Sequence, residues 1–160
     1  SSDVCSSDLG GIDALVASIR AYDTSDAVTE AGAKALAAVV STPDSDVATA
    51  LEDAGGIDVT VAQMDMHAAS PGVQAAGCAL VAALAGGDEH RVAALRCGAL
   101  EACLLALRAH SRSEAVAEMG TAALWNLAYC PAVEKRIAEA GGADTVVAAE
   151  LDAELLETEH

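Results

Sequence analysis

Trp125, Asn126 and Tyr129 are the residues whose types and spacing point most directly to recognition chemistry. The chain holds one Trp, two Tyr and no Phe, so two of its three aromatic side chains fall within five residues. At positions i and i+4 of a helix, Trp125 and Tyr129 would share one surface. Trp and Tyr are also the side chains most enriched as interface anchors. Asn126 lies beside them on the same helix. The commoner use of a lone Trp, packing between neighbouring elements, remains open at this level.

Other reactive residues do not assemble into a site. Gly86 to His90 reads GGDEH and is similar to the GGDEF signature of cyclic-dinucleotide synthesis. That chemistry needs the motif on a hairpin of an α/β domain, whereas here it is expected between two helices, with His90 in the loop. His67 and His110 have a metal-ligating side-chain type, but they stand at equivalent places in the chain beside Tyr22, which suits a shared helix-end role better. Cys5, Cys78, Cys97, Cys103 and Cys130 lack paired CxxC spacing, and read as buried thiols of a reducing compartment. With the carboxylates scattered, no nucleophile, base and orienting group fall together. The expectation is a non-enzymatic protein without cofactor or metal.

Charge narrows the partners. Eight basic residues against 25 acidic ones leave a formal charge of -17, which repels nucleic acid and anionic membrane surfaces and favours a basic or neutral protein or peptide. No apolar run approaches the roughly 18 residues of a membrane span.

The elements that must position these residues follow from a repeat. Gly10, Gly55, Gly98 and Gly141 open similar blocks spaced 45, 43 and 43 residues apart, a period of helical repeat arrays. Twelve residues into the blocks stand Tyr22, His67 and His110; further along come Val28, Val73 and Val116, then Gly32, Gly77 and Gly120. Leu36, Val81 and Leu124 follow, then Val39, Leu84 and Leu127, and these sets share one helical face. Each block predicts a helix after the opening Gly, a polar turn, and a longer helix N-capped by Ser25, Ser70 or Ser113, with Pro71 at a first helical position. A short helix precedes the next Gly: VATALEDA before Gly55, RVAALRC before Gly98 and EKRIAEA before Gly141. The opening glycines are expected to end those short helices in a left-handed conformation. Gly32, Gly77 and Gly120 lie inside long helices, where each costs about 1 kcal/mol relative to Ala, so a neighbour must approach closely there.

Three helices per repeat, GGID or GAL opening the second helix, and ALWNLA (Ala123 to Ala128) ending the third resemble the armadillo repeat family. The resemblance covers Gly10 to about Leu151. It implies an all-α, right-handed α-solenoid whose third helices line a concave groove, with an Asn near the end of that helix binding an extended partner peptide. Asn126 matches that Asn. Ala38 and Ala83 stand at the equivalent places, and the family's Trp one turn earlier corresponds to Ala122, so a continuous Asn ladder of the nuclear-import adaptor type is absent. Glu30, Lys34 and Glu118 fall on the implied groove side.

The expected organisation is a non-native or disordered tail at 1–9, repeats at 10–54, 55–97 and 98–140, a partial repeat at 141–151, and an acidic tail at 152–160. Ser2 to Leu9, SDVCSSDL, is similar to the translation of a sequencing-library adapter, in which case the native sequence began upstream of Gly10. The functional expectation is a monomeric, cytoplasmic or nuclear interaction scaffold with a partner segment on the third-helix face. The alternative is a regulatory or purely structural segment of a larger protein.

Overall fold

The computed structural model describes residues 6–42 and 45–128. Among them the fold is all-helical, as expected: α1 (Ser6–Ala21), α2 (Asp26–Val40), α3 (Ser45–Asp53), α4 (Gly56–Met66), α5 (Pro71–Leu84), α6 (Asp88–Arg96), α7 (Ala99–Ala109) and α8 (Glu114–Ala128). The block at Gly141, the helix EKRIAEA before it, the acidic stretch 152–160, Tyr129, Cys5 and Cys130 lie outside the described residues.

Local chemistry sets the boundaries. Ser25, Ser70 and Ser113 accept hydrogen bonds from the backbone N–H of Val28, Val73 and Val116 at 3.3, 3.4 and 3.3 Å. These bonds satisfy donors that the first turns of α2, α5 and α8 would otherwise leave unpaired. Pro71 opens α5, where its missing N–H costs nothing. Gly55 and Gly98 have φ values of 73° and 85°, which reverse the chain between α3 and α4 and between α6 and α7 at a position closed to most side chains.

The third helices of successive blocks lie side by side. α5 packs along both α2 and α8, the two most extensive helix pairings among the described residues. Leu36, Leu80, Leu84, Leu124 and Leu127 are fully buried in and beside these seams. Each long helix also receives one side chain from the helix before it. A Cβ on Gly32 would lie 2.6 Å from Ile19 Cγ1, on Gly77 2.5 Å from Met64 Sδ, and on Gly120 2.7 Å from Leu107 Cδ2. Ile19, Met64 and Leu107 occupy the same place in their blocks, nine residues after the opening Gly. The glycines are sockets, and the close apolar packing in each one offsets the poor helix propensity of the glycine.

Four expectations need correction or extension. Gly10 and Gly11 lie inside α1, and neither has a positive φ; no short helix precedes them among the described residues, so no sharp turn is required. α1 starts at Ser6, so the end of the expected tail at 1–9 is helical. Val39 is 37 % exposed, whereas Val40 is 6 % exposed; the buried stripe continues from Leu36 by four residues instead of three, and Val40 borders Ala48 and Leu84. His90 is the third residue of α6 and is buried, not in a loop.

Replacing Gly77 with Leu should destabilise the fold by about 1–3 kcal/mol through overpacking against Met64, despite the better helix propensity of Leu. A thermal melt showing the variant as stable as the parent would remove the socket explanation.

Candidate functional site

The exposed face of α8 is defined by what its other face buries. Val116, Gly120, Ala123, Leu124 and Leu127 turn inward, which leaves Glu118, Ala122 and Trp125 on the outer side at i, i+4 and i+7. Glu118 is exposed, Ala122 half-buried, and Trp125 53 % exposed. Among the described residues no neighbouring helix encloses the indole. Tyr129, one turn further, is outside the described residues.

Asn126 has a partner inside the fold. Its Nδ2 donates to the Ala82 carbonyl at 2.9 Å, tying α8 to α5 and leaving one N–H and the side-chain carbonyl oxygen for other uses. The charged pair on α2 is also internally committed. Lys34 Nζ donates to Glu30 Oε1 at 2.5 Å, and the Glu30 carboxylate lies over Gly72 in the first turn of α5. A carboxylate at a helix N-terminus is favoured by the partial positive charge of the unpaired N–H groups. Between these ends, α5 presents Gly72, Ala79 and Ala83, all half-buried or exposed. The structure thus brings Glu118, Ala122, Trp125 and Asn126 together on α8, and places Glu30 and Lys34 on α2, with α5 between the two helices.

Three histidines bond to neighbouring helices and turns. The N–H groups of Tyr22, His67 and His110 donate to Ser18, Gln63 and Ala106 at 3.0, 2.9 and 3.0 Å, the same closing bond in three blocks. The imidazoles then reach back to the preceding block: His67 Nε2 meets the Asp23 carbonyl at 2.5 Å, and His110 Nε2 meets the Ala68 carbonyl at 2.7 Å. His67 is buried, and its Nδ1 also bonds Asp26. His90 is bonded through Nδ1 to Glu52 of α3. Buried beside the His67 joint, Gln74 Nε2 donates to the Met64 and His67 carbonyls at 2.8 and 3.0 Å, and Thr29 donates to Gln63 at 3.3 Å. Among the described residues no group of three or more His, Cys, Asp or Glu is placed to hold a metal ion.

Two thiols, Cys97 and Cys103, are poor nucleophiles. Cys97 is pushed up to about 11, by burial first and then by its hydrogen bond to Asp58. Cys103 is raised well above the ordinary thiol range, first by its hydrogen bond to Cys78 and then by burial. At neutral pH both are held as thiols, the unreactive form. Cys78 and Cys103 are buried and Cys97 half-buried, all three unpaired by disulfides.

A second surface escaped the sequence reading. α4 and α7 line a cleft of about 500 Å³ with largely apolar walls. Leu105, 61 % exposed, stands on it. The available signal was the run Cys103 to Leu107, CLLAL, which is more apolar than a helix with one buried stripe needs.

Among the described residues no helix is long and apolar enough to cross a membrane. No family model, curated protein or solved structure matches the chain.

The two imidazole joints differ in burial and partner number, and this difference is measurable. His67→Ala should cost about 2 kcal/mol in urea unfolding, and His110→Ala no more than about 1 kcal/mol. Equal losses would show that the second bond and the burial of His67 add nothing.

Proposed function

We propose that the chain is a right-handed armadillo-type α-solenoid and works as a non-enzymatic interaction scaffold, taking an extended basic or neutral protein segment along the surface of α2, α5 and α8. The observation that carries this reading is the exposure of Trp125, 53 %, on the same face as Glu118 and Ala122 and beside Asn126. A large apolar ring held in solvent by a well-packed helix gains most from a partner that covers it. The small side chains of α5 would let a peptide backbone come close, and the remaining N–H and oxygen of Asn126 can meet that backbone. The recurring three-helix order, the glycine sockets and the cross-block bonds support the solenoid, since such units stack to bury faces they cannot bury alone. Formal charge of -17 favours a basic or neutral segment. The unreactive thiols fit a reducing compartment, cytoplasm or nucleus, with the chain as a monomer.

A second reading has its own support. Asn126 is bonded to Ala82, and Glu30 is paired with Lys34. These internal commitments favour a structural or regulatory segment of a larger protein, whose third-helix face holds the stack together and binds nothing.

One experiment separates the two. Extended basic or neutral peptides should bind weakly to the whole chain, with affinity falling as salt rises. Trp125→Ala should cost about 2 kcal/mol of binding, with unchanged helical circular dichroism. A variant that binds every peptide as well as the parent would sink the scaffold reading in favour of the structural one.

A further inference from the structure

The cleft between α4 and α7 differs in chemistry from the third-helix surface and is independent of it. It follows both helices from end to end, from Asp58 to Ala68 and from Gly98 to Ala109. Leu105, 61 % exposed, the half-buried Val61 and the buried Met64 are its large apolar groups, set among alanines. Its rim carries three carboxylates, Asp58, Asp65 and Glu101, all exposed, and no basic side chain lines it.

We propose that this cleft docks a basic amphipathic helix of a partner protein. Length fits: α4 and α7 have eleven residues each, about 16 Å, which accommodates about three turns of helix with apolar anchors at i, i+3 or i+4, and i+7. Backbone chemistry selects a helix over an extended peptide. Both walls are helices whose main-chain groups are bonded internally, so a strand would bury unpaired N–H and C=O groups against them, while a helix satisfies its own. A specific small molecule would need an orienting polar group, and the polar side chain at the floor, Gln74, already donates to Met64 and His67. Charge selects Lys or Arg at the edges of the apolar face, opposite Asp58, Asp65 and Glu101. The same charge disfavours a second copy of this chain, which carries -17.

The test uses the full chain and a labelled helical model peptide of Leu and Lys with Leu on one face, followed by fluorescence anisotropy. Leu105→Ser, at an exposed position that should leave the helical signal intact, should weaken binding at least tenfold. Asp65→Lys combined with Glu101→Lys should weaken it similarly and flatten its salt dependence. Trp125→Ala should leave it unchanged, which separates this cleft from the third-helix surface. The proposal is overturned if the peptide fails to bind, if Leu105→Ser binds it like the parent, or if a scrambled peptide of equal composition binds equally well. It is also overturned if sedimentation shows self-association that Leu105→Ser abolishes, for then a second copy occupies the cleft.

Discussion

Closure of each long helix onto its predecessor at a single glycine is the constraint from which the rest of the structure follows. Ile19, Met64 and Leu107 sit against Gly32, Gly77 and Gly120 where a Cβ would come within 2.7 Å of them. Such an approach fixes both the separation of the two helices and their register along one another, because the side chain fits only over the missing Cβ. With that geometry set in three consecutive blocks, the long helices α2, α5 and α8 are presented in parallel places and can pack side by side. The abundance of Ala on α5 follows: Ala75 and Ala76 are buried and Ala79 and Ala82 half-buried, since the helix is flanked by α2 and α8 and leaves little room for larger groups.

Polar bonds between blocks refine an arrangement that apolar packing establishes. His67 reaches Asp23, His110 reaches Ala68, and Asn126 reaches Ala82, each bridging 42 to 44 residues of sequence. A main-chain carbonyl near a helix end or in a turn accepts these bonds cheaply, because its own helix leaves it partly unsatisfied. The first joint is the more polar. Thr29, Gln63, Gln74 and His67 are all buried there, and each has a hydrogen-bond partner. Such a satisfied network is intolerant of sliding, since a shift by one residue would leave several buried groups unpaired at once.

The architecture was legible where it depends on backbone chemistry. Ser25, Ser70 and Ser113 announce helix starts because their oxygens can reach a backbone N–H, and Gly55 and Gly98 announce turns because few other residues tolerate positive φ. The sockets were legible as well, since a glycine repeated at a costly position demands a compensating neighbour. What could not be read depends on which helix passes nearby. His90 bonds Glu52, 38 residues away, a pairing that no local spacing encodes. Gly10 looks like the other opening glycines, yet it lies inside α1 because its conformation depends on what precedes it in space. At the candidate site, the grouping of Glu118, Ala122 and Trp125 follows from helical periodicity alone. That Asn126 is bonded to Ala82 depends on side-chain reach and could be decided only in three dimensions, whereas the pairing of Glu30 with Lys34 follows from their i, i+4 spacing on α2.

The two surfaces that remain open to partners differ in how they could hold one. On α2, α5 and α8 the exposed groups are small or already bonded, so a partner gains from Trp125 and from backbone contacts but meets few other apolar anchors. Between α4 and α7 the balance is reversed: Leu105 and Val61 offer area to cover, while no free backbone edge and no orienting polar group sets the direction of an occupant. Carboxylates border both surfaces, Glu118 on one and Asp58, Asp65 and Glu101 on the other. Electrostatic attraction therefore does little to choose between the faces; it accelerates the approach of any basic segment to either. Discrimination has to come from the partner's backbone form. Under the proposed reading an extended segment would need hydrogen-bonding groups along its path, of which Asn126 keeps one N–H and one oxygen, whereas a helix would carry its main-chain bonds with it and need only an apolar trough of matching length.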